Sequence, residues 1–266
     1  MANLEITLAL WSLHHELQSG GLDILDVPAL VRREWNISTI EHVSRLMTEK
    51  PPDFIRELTK RCADAGVRNS LIMIDWQGEL GNPDPVLRRN AVENHIKWMD
   101  TAKELGCNAI RVNALSEGSW SHQIELLTDG LTNLLERASV TGIDVLIENH
   151  GGISSNGKFL VELISIINHP RLGTLPDFGN FRIDENTSYD RYQGVKELLP
   201  FARALSAKTY DFDSAGLETT IDYPRIMKIV VESGYNGTIG IEYEGNRLSE
   251  LEGIRATKAL LESLLP

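Results

Sequence analysis

Eight short apolar runs alternate almost throughout with longer stretches of helical spacing, and this alternation limits the fold more than any other feature. The apolar runs are ITLALW (6–11), TIEHV (39–43), LIMID (71–75), NAIRVNAL (108–115), DVLIENH (144–150), RLGTLPDFGN (171–180, strand then loop), RALSAKTYDF (203–212) and TIGIEYEG (238–245). Helical patterns occupy 53–66, 85–106, 124–142, 158–169, 189–202, 222–234 and 249–265. The first and third of these end on Gly66 and Gly142, a residue that tolerates the left-handed turn at a helix stop. Strands that alternate with helices form parallel sheets, because each parallel connection must cross over through a helix. Eight such units close an α/β structure, a single (β/α)₈ TIM barrel. An open doubly wound sheet would carry a glycine-rich phosphate loop after its first strand, and none is present. No linker or composition shift divides 1–266, so one domain is expected.

Charge and cysteine usage remove several function classes. The chain has 26 Lys and Arg against 38 Asp and Glu, a formal charge of −12. Such a surface repels a phosphate backbone, whose binding depends on cationic side chains; no nucleic-acid partner is expected. No run approaches the roughly 18 apolar residues of a membrane span, and the N-terminus lacks the basic region of a secretory signal. Cys62 and Cys107 have no CxxC partner and read as small core residues in a reducing compartment. A cytoplasmic protein follows, with a homo-oligomer left open.

In a barrel of this kind the active site is built at the C-terminal ends of the strands. Here those ends carry polar residues: Trp11, Ser12, His14 and His15 on the first, Glu41 and His42 on the second, Asp75 on the third, and Arg111 and Asn113 on the fourth. The fifth brings Glu148 and His150, the sixth Asp177 and Asn180, the seventh Ser206, Lys208 and Tyr210, and the eighth Glu242 and Glu244. Residues two apart share one face of a strand, so Arg111 with Asn113, Glu148 with His150, Ser206 with Lys208, and Glu242 with Glu244 should point the same way. Ionisable groups converging on one mouth must pair, bind a metal or bind a polar ligand, since burying them alone is costly. His122 and His169 read as surface or cap residues, Asp211 and Asp213 as loop acids, and Glu244 as shallower than Glu242. Trp35, Trp76 and Trp120 are candidates for pocket walls or an interface.

Glu148, Asp177 and Glu242 come from neighbouring strands and suit a divalent cation. Oxygen-rich sites favour Mg²⁺ or Mn²⁺, and added imidazole moves the preference toward Mn²⁺ or Zn²⁺. Two glutamates on opposite sides of a sugar can act as base and acid beside a carbonyl, given an electrophile for the developing enediolate. Lys208 and Arg111 can hold a hydroxyl, an oxyanion or a phosphate. Trp11, His14, Asp75, Arg111, Asn113, His150 and Asn180 are the expected substrate contacts.

The segments IENHGG, LPDFGN, SAKTYDF and GIEYEG, in this order, resemble the xylose isomerase-like TIM barrels of the sugar phosphate isomerase/epimerase type; WSLHHEL and AIRVNA extend the resemblance over nearly the whole chain. It implies one divalent metal held by Glu148, Asp177, the residue at 206 and Glu242, the two glutamates doubling as acid/base pair and Lys208 joining them as a catalytic side chain. Two positions depart from the family. Ser206 stands where relatives carry a histidine, and Asn180 where many have another. Water could take the missing ligand position, His150 could move in, or the metal could be lost. The expected function is a sugar isomerase or epimerase acting on a small ketose or keto-sugar derivative. The alternatives are a lyase or dehydratase for a keto-sugar, keto-inositol or 3-keto-glycoside, and an inactive sugar-binding barrel. A DNA-repair endonuclease on this fold is opposed by the negative charge and the missing histidine.

Overall fold

A computed structural model describes residues 4–48, 50, 51 and 53–265. The apolar runs form eight strands: β1 (Glu5–Ala9), β2 (Thr39–Val43), β3 (Arg68–Met73), β4 (Ala109–Asn113), β5 (Asp144–Glu148), β6 (Leu172–Leu175), β7 (Ala204–Thr209) and β8 (Thr238–Tyr243). All pair in parallel, in the order β6-β5-β4-β3-β2-β1-β8-β7. The two ends of that order meet through bridges at Thr174–Ala202 and Asp177–Ser206. Backbone hydrogen bonds from Ser206 N to Pro176 O (3.0 Å) and from Phe178 N to Ser206 O (3.1 Å) complete the seam. The sheet is thus a nearly closed barrel, and its closing seam runs through two of the expected metal ligands.

Around it lie α1 (His14–Ser19), α2 (Val27–Trp35), α3 (Phe54–Ala65), α4 (Pro85–Glu104), α5 (Trp120–Thr141), α6 (Gly157–Ile167), α7 (Arg191–Leu198), α8 (Tyr223–Glu232) and α9 (Glu250–Leu264). Their starts follow local chemistry. Asp84 accepts from Val86 N at 2.7 Å ahead of Pro85, and Ser249 with Glu252 forms a reciprocal capping box at α9. Each such cap is worth about 1 kcal/mol. Gly66 and Gly142 do end helices in left-handed geometry, at φ 65° and 82°.

The sequence reading names no helix between the first two strands, yet α2 is there. Val27, Val31 and Trp35 recur every four residues and are buried, so the signal was present in a stretch too rich in charge to attract notice. The strands also stop earlier than their apolar runs. β1 ends at Ala9, which leaves Trp11 in a 3₁₀ turn, and β3, β4 and β5 end at Met73, Asn113 and Glu148. Beyond those points side chains take over part of the pairing: Ile74 N still reaches Arg111 O of β4 (2.8 Å), but Asp75 N bonds to Ser44 Oγ (3.0 Å) and His150 N to Ser154 Oγ (3.1 Å).

Strand faces alternate in polarity as the pleat requires. Ile40, Ile110, Val112, Ile147, Ala207 and Ile241 are buried and apolar. Their neighbours Glu41, Arg111, Glu148, Ser206, Lys208 and Glu242 are also buried and meet one another or a facing strand inside the barrel. Gly240 makes room for this polar interior: a Cβ there would lie 2.6 Å from Glu41 Oε2. Cys62 and Cys107 are buried free thiols, and burial pushes the Cys62 thiol up to about 11. Among the described residues no helix is long and apolar enough to cross a membrane.

Candidate active site

Three carboxylates form the floor of the site. Glu148, at the last position of β5, has Oε1 accepting from Asn180 Nδ2 at 3.0 Å. Its Oε2 lies 2.7 Å from Arg111 Nε, close enough for an ion pair but not aligned as a hydrogen bond, so that oxygen receives no donor. Asp177 accepts from the backbone N–H of Gly179 and of Asn180, each at 2.7 Å, through Oδ1. Its Oδ2 is 2.6 Å from Ser206 Oγ. Glu242 has Oε2 at 2.7 Å from the same hydroxyl and Oε1 accepting from Lys208 Nζ at 2.8 Å. One oxygen from each of Glu148, Asp177 and Glu242 lies within 4.8 Å of the others.

Ser206 exposes an imbalance. A hydroxyl has one hydrogen to donate, yet this one lies between two carboxylate oxygens. One contact therefore needs a proton on a carboxyl or a cation between the groups. Glu148 Oε2 has the Arg111 guanidinium beside it but no aligned hydrogen-bond donor. This all-oxygen set of Glu148, Asp177, Glu242 and Ser206 fits a hard divalent ion such as Mg²⁺ or Mn²⁺ better than Zn²⁺, which prefers nitrogen and sulfur.

Cationic side chains bias the three acids differently. Burial pushes Glu148 well above the usual carboxylate range, opposed by Arg111 and reinforced by Asp177 and Glu242. Burial also raises Asp177. Glu242 feels the same burial, but the Lys208 ammonium and the Ser206 hydroxyl outweigh it and hold the carboxyl below its ordinary value. Lys208 itself resists burial because Asp177 and Glu242 hold its proton; it also reaches Glu244 at 3.2 Å. Arg111 bridges Glu148 to Asp75, with Nη1 at 2.6 Å from Asp75 Oδ1 and 3.2 Å from Asn113 Oδ1. Against its burial, Asp75 is thereby lowered.

Above this floor a cavity of about 600 Å³ opens at the C-terminal ends of the strands. Trp11, Asp75, Arg111, Asn113, His150, Asn180, Lys208 and Glu242 all line it, as the sequence reading expects. Glu148, Asp177 and Ser206 are buried behind these side chains. His14 departs from expectation. It stacks on Trp11 with ring centroids 4.4 Å apart, and its Nδ1 lies 2.6 Å from Trp11 O and 3.3 Å from Glu250. It braces Trp11 from outside the cavity because α1 starts at this residue and turns the chain away.

His150 keeps its place on the cavity wall but does not join the carboxylates as a replacement ligand. It sits exposed at the rim and lines the cavity, enclosed enough that burial and the nearby Arg111 push its imidazole down. It is not among the described residues gathered around the three carboxylates. The same-face rule fails because β5 ends at Glu148. Glu41 lies within the barrel, bonded to Thr7, and burial raises it to about 7. His42 faces outward to Asn69 Oδ1 at 2.8 Å. Of the three tryptophans left open, Trp35 is core and Trp120 packs on Phe159; Trp76 lines the cavity.

Sequence reasoning missed Asn149. Its Nδ2 donates to the carbonyls of Asp177 and Asn180, both at 3.0 Å, and its Oδ1 accepts from Asp177 N at 2.8 Å. A side chain here replaces the strand pairing that β5 and β6 give up, and so fixes the aspartate. Arg45 and His95 also line the cavity. They come from a 3₁₀ turn after β2 and from α4, where no strand-end pattern marks them.

A parallel eight-stranded barrel defines a (β/α)₈ protein, and the acids gather at the end of the barrel where such proteins carry their sites. The family model for the xylose isomerase-like TIM barrel matches residues 32–264. The chain belongs to that family. Its structure is similar to that of 3-keto-D-glucoside 4-epimerase from E. coli, with TM-score 0.74, 16% identity, and 98% and 99% of the two chains covered. D-psicose 3-epimerase from Clostridium cellulolyticum H10 gives TM-score 0.76 at 13% identity, covering 98% of each chain. A xylose isomerase-like TIM barrel protein from Mycobacterium smegmatis, solved in complex with magnesium, gives 0.70 at 16%, covering 100% and 98%. In sequence, a 55-residue stretch is 36% identical to the C-glycoside deglycosidase alpha subunit of Arthrobacter globiformis; it spans 21% of this chain and only 16% of that protein.

Proposed function

We propose that the protein is a sugar isomerase or epimerase that moves a proton beside the carbonyl of a keto-sugar derivative, with Glu148 and Glu242 as its acid/base pair. The carrying observation is geometric: Glu148 from β5 and Glu242 from β8 meet at the C-terminal end of the barrel, with one carboxylate oxygen of each and of Asp177 within 4.8 Å of one another and Lys208 Nζ 2.8 Å from Glu242 Oε1. Two carboxylates beside one bound carbonyl compound can serve as base and acid. Glu242 takes the proton, Lys208 keeps it ionised until it does, and Glu148 returns a proton on the other side. Arg111, Asn113 and Asn180 orient hydroxyls at the cavity wall. A divalent ion held by Glu148, Asp177, Glu242 and Ser206 would supply the electrophile for the carbonyl oxygen.

An uncharged sugar fits better than a phosphorylated one. Among the described residues that line the cavity, Asp75, Glu79, Glu242 and Glu244 face Arg45, Arg111 and Lys208, and the last two are already paired with acids. The named activities of the E. coli and Clostridium proteins support a keto-glucoside or ketose. Two free buried thiols favour the cytoplasm as the place of action. The local match to a deglycosidase subunit favours a second reading, in which proton removal is followed by loss of the group at the β-carbon. Product mass separates the two, because only elimination changes it.

The deciding experiment follows deuterium from solvent into 3-keto-D-glucose. Glu148→Gln and Glu242→Gln should each slow exchange by roughly 10²–10⁴-fold. Exchange at the wild-type rate in both variants would sink the pair.

A further inference from the structure

The proton-transfer residues occupy the floor of the cavity and leave an aromatic wall unused. Arg45 is sandwiched there between two indoles, with Cζ 4.7 Å from the Trp11 ring centroid and 3.4 Å from that of Trp76. Trp11 is anchored behind by its Nε1–H, which donates to Glu244 Oε1 at 2.6 Å. Trp76, the outermost layer, is 79% exposed although it lines the cavity. Its backbone has φ 59°, a left-handed conformation that bulky side chains rarely adopt. Two residues later Gly78 turns at φ 93° against α4, where a Cβ would come 2.9 Å from Ala91. The loop is therefore shaped to hold an indole at the mouth with its outer face bare.

We propose that this wall is an aglycone subsite: Trp76, backed by Arg45 and Trp11, stacks on a planar aromatic group joined to the keto-sugar, so that the substrate class is an aryl glycoside. The proposal rests on the keto-sugar reading and deepens it. At about 600 Å³ the cavity falls within the roughly 300–1,000 Å³ that encloses drug-sized ligands, well beyond a single sugar ring. The carboxylate floor suits the ring and the wall suits a flat apolar group. A guanidinium clasped behind an indole fixes the plane of that indole, which favours offset stacking over contact with a flexible chain. Gln77 and Glu79 line the cavity on the same loop and offer acceptors to phenolic hydroxyls.

The test compares KM for the 4-nitrophenyl and methyl 3-keto-D-glucosides of the same anomer, with tryptophan fluorescence titrated in parallel. Wild-type protein should prefer the aryl compound by roughly two- to tenfold; Trp76→Ala should bring that ratio to about one, and Trp76→Phe should keep most of it. A ratio near one in the wild type overturns the subsite, as does a Trp76→Ala variant that keeps the preference. So does a dimer by sedimentation that Trp76→Ala dissociates, which would make the indole an interface residue. Fluorescence quenching by the aryl compound without turnover of either would support the subsite and remove the proton-transfer reading on which it was built.

Discussion

At the scale of single residues, Glu41 shows how an acid can be carried inside a barrel. Burial raises its carboxyl to about 7, with Thr7 donating to one oxygen and the other left without a donor. The sign follows from linkage: a carboxyl raised above its unfolded value contributes stability fully below about 4.5, and that contribution is lost as pH climbs through about 7. The 2.5-unit difference between 4.5 and 7 corresponds to about 3 kcal/mol. Glu41→Gln, which keeps an acceptor for Thr7, should therefore be more stable than wild type at pH 8 by an amount of that order and show little difference at pH 4.5. Urea unfolding of both proteins at the two pH values measures it. Equal stability at pH 8 would mean that the carboxylate finds compensation. His95, lowered to about 4 by burial, adds its own pH dependence below about 6.5, but it is present in both proteins and cancels in the comparison.

At the scale of elements, strand ends decide where the chemistry sits. β5 stops at Glu148, and Asn149 then spans to the loop after β6 through three hydrogen bonds with the backbone of Asp177 and Asn180. Asn149→Ala would leave the buried N–H of Asp177 without this acceptor and its carbonyl without this donor. A loss of about 1–3 kcal/mol follows from an unsatisfied buried group, read as a lower denaturation midpoint. A variant as stable as wild type would show that water replaces the amide. The sequence displayed this asparagine within IENHGG, but no spacing rule separates a positioning amide from a loop amide. His150 illustrates the converse. Two positions after Glu148 it should share its face, and it does not, because pleat alternation holds only while the chain remains a strand.

At the scale of the whole molecule, the site lies across the closure of the barrel. Asp177 and Ser206 bridge the seam between β6 and β7, so a cation that holds Asp177 to Glu148 and Glu242 also ties the first and last strands of the sheet order together. Ligand binding to the folded state alone stabilises by about 2.7 kcal/mol at a hundred times Kd. Mg²⁺ or Mn²⁺ should raise the melting temperature of chelator-treated protein, and Zn²⁺ should do less. Ser206→His places imidazole in the set and should shift the order toward Mn²⁺ and Zn²⁺. Isothermal titration of each ion against both proteins checks the order independently of activity. An unchanged order in the histidine variant would remove Ser206 from the ligand set.

The eight strands, their parallel barrel, and the acids Glu148, Asp177 and Glu242 at its mouth are determined by the sequence, because strand period and the cost of burying charge are local, one-dimensional constraints. The tertiary structure alone decided the rest. The single hydroxyl hydrogen shared by Asp177 and Glu242, the gathering of Glu148 with these two acids, and the Trp11–Arg45–Trp76 wall all depend on residues far apart in the chain. Distances and local dielectric set these interactions, and neither exists until the barrel closes.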